Sequence, residues 1–418
     1  MKKLVVNGGR KLCGECVVQG AKNSSLPIIG ATMLTNGENI LHKCPILEDT
    51  ITACEILTSL GCKTTWQDDS LIIDSDGLCN AQISKCLMNK IRSSIIFLGA
   101  ILARCKEATV YFPGGCDIGS RPIDLHLSAF RKMGVDITEC GGKLQCKVIG
   151  SKIYGAEIFL SFPSVGATEN ILLAAVTAEG ETIIHNAAVE PEIEDLCNYL
   201  NKCGAKIFGG GTQVIKIEGV ESLTACEYSI MPDRIVATTL LCGLAASGGE
   251  IFLRDANPKD LSAVLTVLEE MGCNIRTYGD NIFCQVKKQL LAPPPIRTMP
   301  HPGFPTDAQP IMMALCCIAR GTSIFVETIF ENRFRHVFEL NKFGASIRVE
   351  DRVAVVEGVN KLNGACVSAT DLRGGAALVV AALSADGKSE ISEVRYIDRG
   401  YAKIEEQFSK LGGSVLRV

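Results

Sequence analysis

The chain has 418 residues, of which 47% are hydrophobic and 21% charged, so we expect a globular protein of two or more domains. A net charge of −4 gives no reason to expect a nucleic-acid partner. The longest apolar runs, such as 95–103, are too short to span a membrane, and the apolar run near the amino terminus is too short for a signal peptide, which favours a cytoplasmic location.

The chain contains twenty cysteines, a number that would suit a secreted disulfide scaffold. Such scaffolds are usually small, so we expect reduced thiols instead. Cys13 and Cys16 form a lone C-x-x-C without a second pair at zinc-ligand spacing, and the chain has only five histidines. The sequence therefore predicts no metal site, and it indicates no cofactor.

One unit recurs six times along the chain. Each copy has an apolar, Ala-rich helix, a short strand, a second helix that ends on glycine, and two strands of alternating character. A glycine in the left-handed conformation satisfies the last carbonyls of such a helix. The glycines are Gly61, Gly134, Gly204, Gly272, Gly344 and Gly412, spaced by 73, 70, 68, 72 and 68 residues. This pattern predicts a compact α/β module used six times.

The last copy is incomplete, because only one strand follows Gly412. Residues 5–18 resemble residues 217–229, so we expect the amino-terminal strands to complete the last unit. The sequence thus predicts two domains of three units each, one at 22–231 and the other at 1–21 with 232–418. Since the chain would cross twice between them, we expect a hinge and a cleft.

One cysteine lies in a stretch unlike the others. Cys116 follows Pro113-Gly114-Gly115 and precedes Arg121-Pro122, in a segment whose glycines and prolines forbid a regular helix or strand. An arginine nearby would favour the thiolate. The segment predicts an exposed, reactive thiol.

Cations stand at predicted helix starts, where the helix dipole disfavours them. Because cations recur at this position in several repeats, the sequence indicates a strongly anionic ligand, with several phosphates or carboxylates. Ser93, Ser164 and Asp233 are explained as ordinary N-caps. The cations are Lys22, Arg92, Arg121, Arg333, Arg373 and Arg399.

With these features in place, the whole chain resembles the UDP-N-acetylglucosamine 1-carboxyvinyltransferase family. The most specific stretch is 113–126, around Cys116; the others are 20–23, 164–168, 304–307, 331–334 and 371–375. The resemblance implies an inside-out α/β barrel of two domains with three repeats each. It also implies transfer of the enolpyruvyl group of phosphoenolpyruvate to the 3′-hydroxyl of UDP-N-acetylglucosamine, with release of phosphate, as the first committed step of peptidoglycan synthesis.

The resemblance also assigns roles to residues. Lys22, Arg121 and Arg399 look like the phosphoenolpyruvate clamp, which Asn23 joins. Cys116 looks like the proton donor and the thiol that fosfomycin alkylates, and Asp307 like the base for the sugar hydroxyl. Further active-site positions are Arg333, Asp371 and Arg373. Positions matching those that hold the sugar nucleotide are Arg92, Arg121, Pro122, Ile123, Asp124, Leu125, Ser164, Val165, Gly166, Asp307 and Ile329.

The chain departs from the family at Phe162-Pro163, where many members carry a basic residue beside the uridine. Two other functions stay open. One is the sister activity, 3-phosphoshikimate 1-carboxyvinyl transfer, although that family's loop lacks the cysteine. The other is a non-catalytic repeat protein that binds a sugar nucleotide. No nucleic-acid, membrane or obligate protein partner is implied.

Overall fold

A computed structural model describes residues 2–112 and 123–418. Within this range the chain forms two compact units. Residues 20–112 and 123–231 make up the unit that we call the first lobe, and residues 2–19 and 232–418 make up the second lobe. Each lobe has its own hydrophobic core. Cys116, Arg121 and Pro122 lie outside the described residues.

The helices are numbered in chain order. They are α1 (Lys22–Ala31), α2 (Glu48–Leu60), α3 (Lys85–Lys90), α4 (Phe97–Cys105), α5 (Asp124–Lys132), α6 (Val165–Ala175), α7 (Pro191–Lys202), α8 (Arg234–Ser247), α9 (Ser262–Glu270), α10 (Gln309–Cys316), α11 (Val337–Lys342), α12 (Leu372–Ser384), α13 (Arg395–Asp398) and α14 (Ile404–Lys410). Short 3-10 turns cover Thr32–Leu34, Arg92–Ile96, Pro258–Leu261 and Arg333–His336. Among the described helices, none has both the length and the apolar character needed to cross a bilayer.

The strands are numbered in the same way. They are β1 (Leu4–Asn7), β2 (Leu12–Val17), β3 (Thr35–Asn36), β4 (Glu38–His42), β5 (Lys63–Gln67), β6 (Ser70–Asp74), β7 (Glu107–Tyr111), β8 (Val135–Cys140), β9 (Lys143–Val148), β10 (Glu157–Phe159), β11 (Glu181–His185), β12 (Lys206–Phe208), β13 (Val214–Glu218), β14 (Leu223–Thr224), β15 (Glu227–Ser229), β16 (Gly249–Arg254), β17 (Asn274–Tyr278), β18 (Asn281–Val286), β19 (Ile296–Arg297), β20 (Thr322–Val326), β21 (Ser346–Glu350), β22 (Val353–Glu357), β23 (Cys366–Ser368), β24 (Lys388–Ser392) and β25 (Ser414–Arg417).

Three helices lie at the centre of each lobe. In the first lobe α1, α4 and α6 contact one another, and in the second lobe α8, α10 and α12 do the same. Most of their residues are buried, because the apolar side chains occupy every face rather than one stripe. In each repeat, a sheet and an amphipathic second helix accompany the central one. The predicted α/β class is confirmed, and the helix-centred arrangement fits an inside-out barrel.

The glycines that define the repeat behave as predicted. All six have positive φ, with values of 107° at Gly61, 82° at Gly134, 103° at Gly204, 106° at Gly272, 88° at Gly344 and 89° at Gly412. They follow α2, α5, α7, α9, α11 and α14, within one or two residues of the end of each helix. A side chain is strained in this conformation, so glycine is the residue that ends the second helix of each repeat.

The amino-terminal strands belong to the second lobe. β1 lies between β24 and β25 and pairs antiparallel with both, so it completes the last repeat as predicted. β2 instead pairs in parallel with β16, in the sheet of the next repeat around the lobe. The same parallel crossing joins β10 to β11, β15 to β4, β19 to β20 and β23 to β24. β1 and β2 thus pair as the corresponding strands of the other repeats do.

Candidate active site

In the second lobe, the carboxylate of Asp307 lies between two arginines. Arg333 Nη2 donates to Oδ1 at 3.0 Å, and Arg373 donates to Oδ2 from Nε and Nη2, each at 3.0 Å. Both arginine side chains are 2% exposed, whereas that of Asp307 is 28% exposed. Charge-assisted bonds of this kind favour an ionised carboxylate. The two arginines thus fix the position of the Asp307 carboxylate.

Arg333 is also bonded to the backbone before Asp307, and Asp371 caps the helix that carries Arg373. Arg333 donates from Nε and Nη2 to the carbonyl of Thr306, the residue before Asp307, at 3.1 and 3.0 Å. Asp371 is the N-cap of α12 and accepts from the N–H groups of Arg373 and Gly374. Its Oδ1 also lies 3.7 Å from Arg333 Nη1. The structure therefore brings Asp307, Arg333, Asp371 and Arg373 together, as one ion-paired group.

Arg373 is enclosed as well as charged. Its guanidinium lies 5.5 Å from the ring centroid of Tyr401, whose hydroxyl is 2.8 Å from that of Thr239. Burial by itself would lower the pKa of Arg373, but Asp307, Tyr401 and Asp233 more than offset it, so the pKa is raised. The guanidinium consequently stays charged, and its stacking on Tyr401 fixes the direction of its fork.

His336 lies beneath this group, fully buried. Its Nδ1 donates to the carbonyl of Arg333 at 3.1 Å. Burial lowers the pKa of His336 to about 4; Asp371 raises it in opposition, and Arg333 adds to the lowering. The ring is therefore neutral near pH 7 and adds no further positive charge beside the two arginines.

Glu327 connects the segment before Asp307 with the segment that carries Ile329. Its carboxylate, 1% exposed as a residue, accepts from the hydroxyls of Thr298 and Thr306 at 2.9 and 3.0 Å. It also accepts from the N–H groups of Ile329 and Phe330 at 2.8 and 3.1 Å. The Ile329 N–H is thus engaged within the lobe. Glu327 was not singled out from the sequence, because its four donors lie on three separate segments.

We expect the buried donors around Glu327, rather than its charge, to set its contribution to stability. Glu327→Leu leaves two backbone N–H groups without an acceptor and should lower the free energy of unfolding by about 2–4 kcal/mol. Glu327→Gln retains a carbonyl oxygen for them and should cost about 1 kcal/mol. Urea unfolding of both variants beside the wild type measures the difference. Equal losses would mean that the negative charge is what matters.

Two predictions about helix starts are wrong. Arg399 is the C-cap of the short helix α13 and precedes α14 by five residues, so it is not at the start of the second helix of its repeat. The short helix α13 accounts for the error, because the second helix of this repeat, α14, begins only at Ile404. Ser93 is not an N-cap, since it lies inside the 3-10 turn Arg92–Ile96, whose cap is Ile91. Asp233 does cap α8, through the N–H groups of Ile235 and Val236.

In the first lobe, Lys22 begins α1, as the sequence predicted, without a capping side chain before it. Its ammonium lies 2.9 Å from Asp49 Oδ2, in the first turn of α2, and both side chains are almost buried. Asn23 follows Lys22 and is half-buried. Arg92 begins the 3-10 turn before α4, again without a side-chain cap. Both cations therefore stand at the helix starts where the sequence placed them.

A buried acid supports the start of α1. Asp195 on α7 accepts hydrogen bonds from the hydroxyls of Ser24 and Tyr228 and from the N–H of Met231. Burial raises the pKa of Asp195, although these bonds lower it in part. Ser24 directly follows Asn23, so Asp195 fixes the first turn of the helix that carries Lys22. Sequence reasoning missed this residue because its partners are distant along the chain.

A second buried acid lies on α6. Glu169 is buried within that helix, and burial, followed by the charges of Glu192 and Glu190, raises its pKa well above the ordinary value. Burial therefore favours the neutral, protonated form of this carboxyl group. The signal in the sequence was an acidic residue in α6, one turn before the apolar run 171–176.

The start of α6 agrees with the sequence prediction. Ser164 is its N-cap, and its hydroxyl accepts from the N–H of Ala167 at 3.3 Å. Val165 and Gly166 are the first helical residues, and their N–H groups have no acceptor within the helix. Asp124 begins α5 and is exposed, Leu125 is half-buried, and Ile123 is packed in the core. Across residues 2–112 and 123–418, no cluster of three or more His, Cys, Asp or Glu side chains suits a metal ion.

The fold matches solved structures over its full length. An enolpyruvyl transferase, NikO from Streptomyces tendae, has a TM-score of 0.87 at 23% identity and covers 100% of this chain and 99% of its own. An EPSP synthase from Acinetobacter baumannii has a TM-score of 0.78 at 18% identity, with 100% of both chains covered. At these identities the likeness shows the fold alone, which is that of the enolpyruvyl transferases.

The family follows from the sequence comparisons. The family model described as EPSP synthase (3-phosphoshikimate 1-carboxyvinyltransferase) matches residues 6–408. Proteins named UDP-N-acetylglucosamine 1-carboxyvinyltransferase 2 from Caldanaerobacter subterraneus subsp. tengcongensis and from Clostridium tetani are 49% and 44% identical, each with both chains covered in full. One from Dichelobacter nodosus is 44% identical over 100% of this chain and 99% of its own. The chain therefore belongs to the UDP-N-acetylglucosamine 1-carboxyvinyltransferase family, within the wider family that the EPSP synthase model describes.

Proposed function

We propose that this chain transfers the enolpyruvyl group of phosphoenolpyruvate to the 3′-hydroxyl of UDP-N-acetylglucosamine and releases phosphate. The observation that carries the proposal is full-length identity of 44–49% to proteins named for this activity, together with an Asp307 carboxylate that is paired with Arg333 and Arg373. The reaction is the first committed step of peptidoglycan synthesis, and we place it in the cytoplasm. We also propose that the domains are 22–231 and 1–21 with 232–418.

The proposed reaction is an addition followed by an elimination. The sugar hydroxyl oxygen attacks C2 of phosphoenolpyruvate and gives its proton to Asp307, while Cys116 delivers a proton to C3. A tetrahedral phosphate ester results. C3 then returns a proton to the Cys116 thiolate, and its electron pair forms the C2–C3 double bond as the bond from C2 to the phosphate oxygen breaks. Phosphate leaves with the proton that Asp307 held. Charge develops on the carboxylate and phosphate, where fixed cations stabilise it. We assign this task to Lys22, Arg121 and Arg399, with Asn23.

The contacts with the sugar nucleotide are assigned residue by residue. In the first lobe, the helix starts at Arg92 and at Ser164 to Gly166 offer N–H groups that suit phosphate oxygens. Positions 121–125 are proposed for the same ligand. Phe162 is exposed at the place where many family members have a basic residue beside the uridine. In the second lobe, Asp307 and Ile329 are proposed for the sugar.

The sister activity is the second candidate, because the matching family model is described by it. The solved EPSP synthases, however, are only 18% identical to this chain. One experiment separates the candidates, including a protein that binds without catalysis. The full chain is incubated with phosphoenolpyruvate and either UDP-N-acetylglucosamine or shikimate 3-phosphate, and phosphate is assayed. We expect release with the sugar nucleotide alone. Release with shikimate 3-phosphate alone would support the sister activity. No release with either acceptor would support a protein that binds a sugar nucleotide without catalysis.

Replacing Cys116 by Asp tests the assignment of the proton donor. A carboxylic acid can also donate a proton, whereas it lacks the thiolate that opens an epoxide such as fosfomycin. We expect Cys116→Asp to retain turnover and to resist fosfomycin, measured as activity remaining after incubation with the drug. Cys366→Ser, at an exposed cysteine of the second lobe, serves as the control and should stay sensitive. Inactivation of Cys116→Asp would mean that another thiol reacts.

A further inference from the structure

Two cysteines of the first lobe lie with their sulfur atoms side by side. Cys203 is the C-cap of α7, and Cys226 is the residue before β15. Their Sγ atoms are 3.4 Å apart, although the residues are 23 positions apart along the chain. Neither cysteine is in a disulfide. Because a disulfide bond is about 2.05 Å long, the two sulfurs need to approach by only about 1.4 Å to form one.

Hydrogen bonds of the backbone hold the two thiols at this separation. The carbonyl of Cys203 accepts from the N–H of Thr224 at 2.9 Å, two residues before Cys226. The N–H of Cys226 donates to Asn39 Oδ1 at 3.2 Å, and the hydroxyl of Tyr199 donates to the same oxygen at 2.8 Å. Since Tyr199 belongs to α7, both thiols are attached to one bonded group. The fold therefore raises the effective concentration of each thiol at the other.

The two thiols differ in their access to solvent. Cys203 is 3% exposed, and burial, followed by the adjacent Cys226 thiol, raises the pKa of Cys203. Cys226 is half-buried, so a small oxidant reaches its sulfur first. In the second lobe, the thiols of Cys273 and Cys284 also interact, but Cys284 is 0% exposed. An oxidant in solution therefore has better access to the first pair than to the second.

We propose that Cys203 and Cys226 form a reversible oxidation site, at which a peroxide converts the two thiols to a disulfide that stabilises the first lobe. The Cys226 sulfur takes one oxygen atom from hydrogen peroxide and becomes a sulfenic acid, and one water leaves. The Cys203 sulfur then attacks the Cys226 sulfur, and the S–S bond forms as the S–O bond breaks. The hydroxyl group leaves as a second water with the Cys203 proton. Two thiols are thus oxidised, and one peroxide is reduced to two waters.

The disulfide joins two elements that already share a buried acid. Asp195 of α7 accepts from the hydroxyl of Tyr228 in β15, from the N–H of Met231 and from the hydroxyl of Ser24. A bond between the end of α7 and the start of β15 opposes the separation of these elements. It also closes the loop 203–226, which restricts the unfolded chain. We therefore expect oxidation to make the first lobe more stable, whatever reaction the protein catalyses.

Peptide mapping of the full chain tests the bond directly. Trypsin separates Cys203 and Cys226 into the peptides 203–206 and 217–234, each of which contains no other cysteine. The folded, reduced chain is treated with one equivalent of hydrogen peroxide, the remaining thiols are alkylated, and the digest is analysed by mass spectrometry. We expect a linked product of these two peptides, lighter by two hydrogen atoms than their sum, which dithiothreitol converts back to the separate peptides.

The same digest contains the control pair. Cys273 and Cys284 fall in the peptides 260–276 and 277–287, which should stay unlinked in the folded chain. The chain unfolded in urea should instead give mixed pairings. The proposal is overturned if the folded chain yields no link between 203–206 and 217–234, or if it yields the same mixture as the unfolded chain. Oxidation of Cys226 that stops at the sulfenic or sulfinic acid would overturn it as well.

Thermal unfolding tests the stabilising effect. We expect the oxidised wild type to unfold about 5–10 °C above the reduced wild type, as for a disulfide that closes a loop of this length. Cys226→Ser changes a half-buried residue and retains Cys116, so its midpoint should no longer depend on this oxidation. Cys140→Ser, at an exposed cysteine of the same lobe, is the matched control and should keep the whole shift. An unchanged or lower midpoint of the oxidised wild type would contradict the stabilising role.

Discussion

Replacing Asp307 by Asn is expected to lower kcat by about 10²- to 10⁴-fold, the usual contribution of a general base. Asn has nearly the same shape but cannot take the proton of the attacking hydroxyl. The two arginines that hold Asp307 are buried and anchored to Thr306 and Tyr401, so the surrounding geometry should persist. The measurement is phosphate release at saturating phosphoenolpyruvate and UDP-N-acetylglucosamine, with binding of the sugar nucleotide measured separately.

Binding distinguishes a base from a residue that only holds the sugar. For a base, kcat falls while the dissociation constant of the sugar nucleotide changes by no more than a few-fold. Asp386→Asn is the control, because Asp386 is an exposed carboxylate of the same lobe that pairs with Lys361. A variant of Asp307 with nearly normal turnover would show that another group accepts the proton. Equal losses in binding and turnover would assign Asp307 to sugar positioning.

Features with a local physical cause were predictable from the sequence. A glycine that ends a helix needs only its own positive φ, and all six predicted glycines have it. Ser164 and Asp233 cap their helices because a short polar side chain reaches N–H groups two or three residues ahead. The strand β1 could be placed in the last repeat because the repeat pattern itself was incomplete there.

Features without a signal in the neighbouring sequence were not predictable. Arg399 was misplaced because nothing in the repeat pattern signals the extra helix α13. Glu327 reads as an ordinary acid at the end of a strand, yet two of its donors are 29 and 21 residues away. Asn170 reads as a polar residue in an apolar helix, and its partners lie 71, 75 and 44 residues away. Only the folded chain reveals what these side chains bind.

The candidate site shows the same distinction. The sequence identified Asp307, Arg333 and Arg373 as members of one set, partly through charge at helix starts and partly through resemblance. It did not reveal that the two arginines bind opposite oxygens of one carboxylate, because residues 307 and 373 meet only through the packing of α10 against α12. The sequence predicted that cations at helix starts bind an anionic ligand. In the structure, two of these cations, Arg333 and Arg373, bind the carboxylate of Asp307 and orient it.

Replacing Arg373 by Lys should lower kcat by about 10- to 100-fold, because lysine cannot reproduce the fork on Asp307 Oδ2 or the stacking on Tyr401. The change retains the positive charge, so a loss would arise from orientation rather than from a buried unpaired carboxylate. Phosphate release at saturating substrates measures it, and urea unfolding checks that the variant remains folded.

The double variant shows how Arg373 acts. If its role is to orient the base, Arg373→Lys should cost much less in the Asp307→Asn background than in the wild type, because the proton transfer that it supports is already absent. The four kcat values of this cycle then give a large interaction energy between positions 307 and 373. Additive losses would contradict this and mean that Arg373 contributes to turnover independently of Asp307, for instance by contacting the substrate itself.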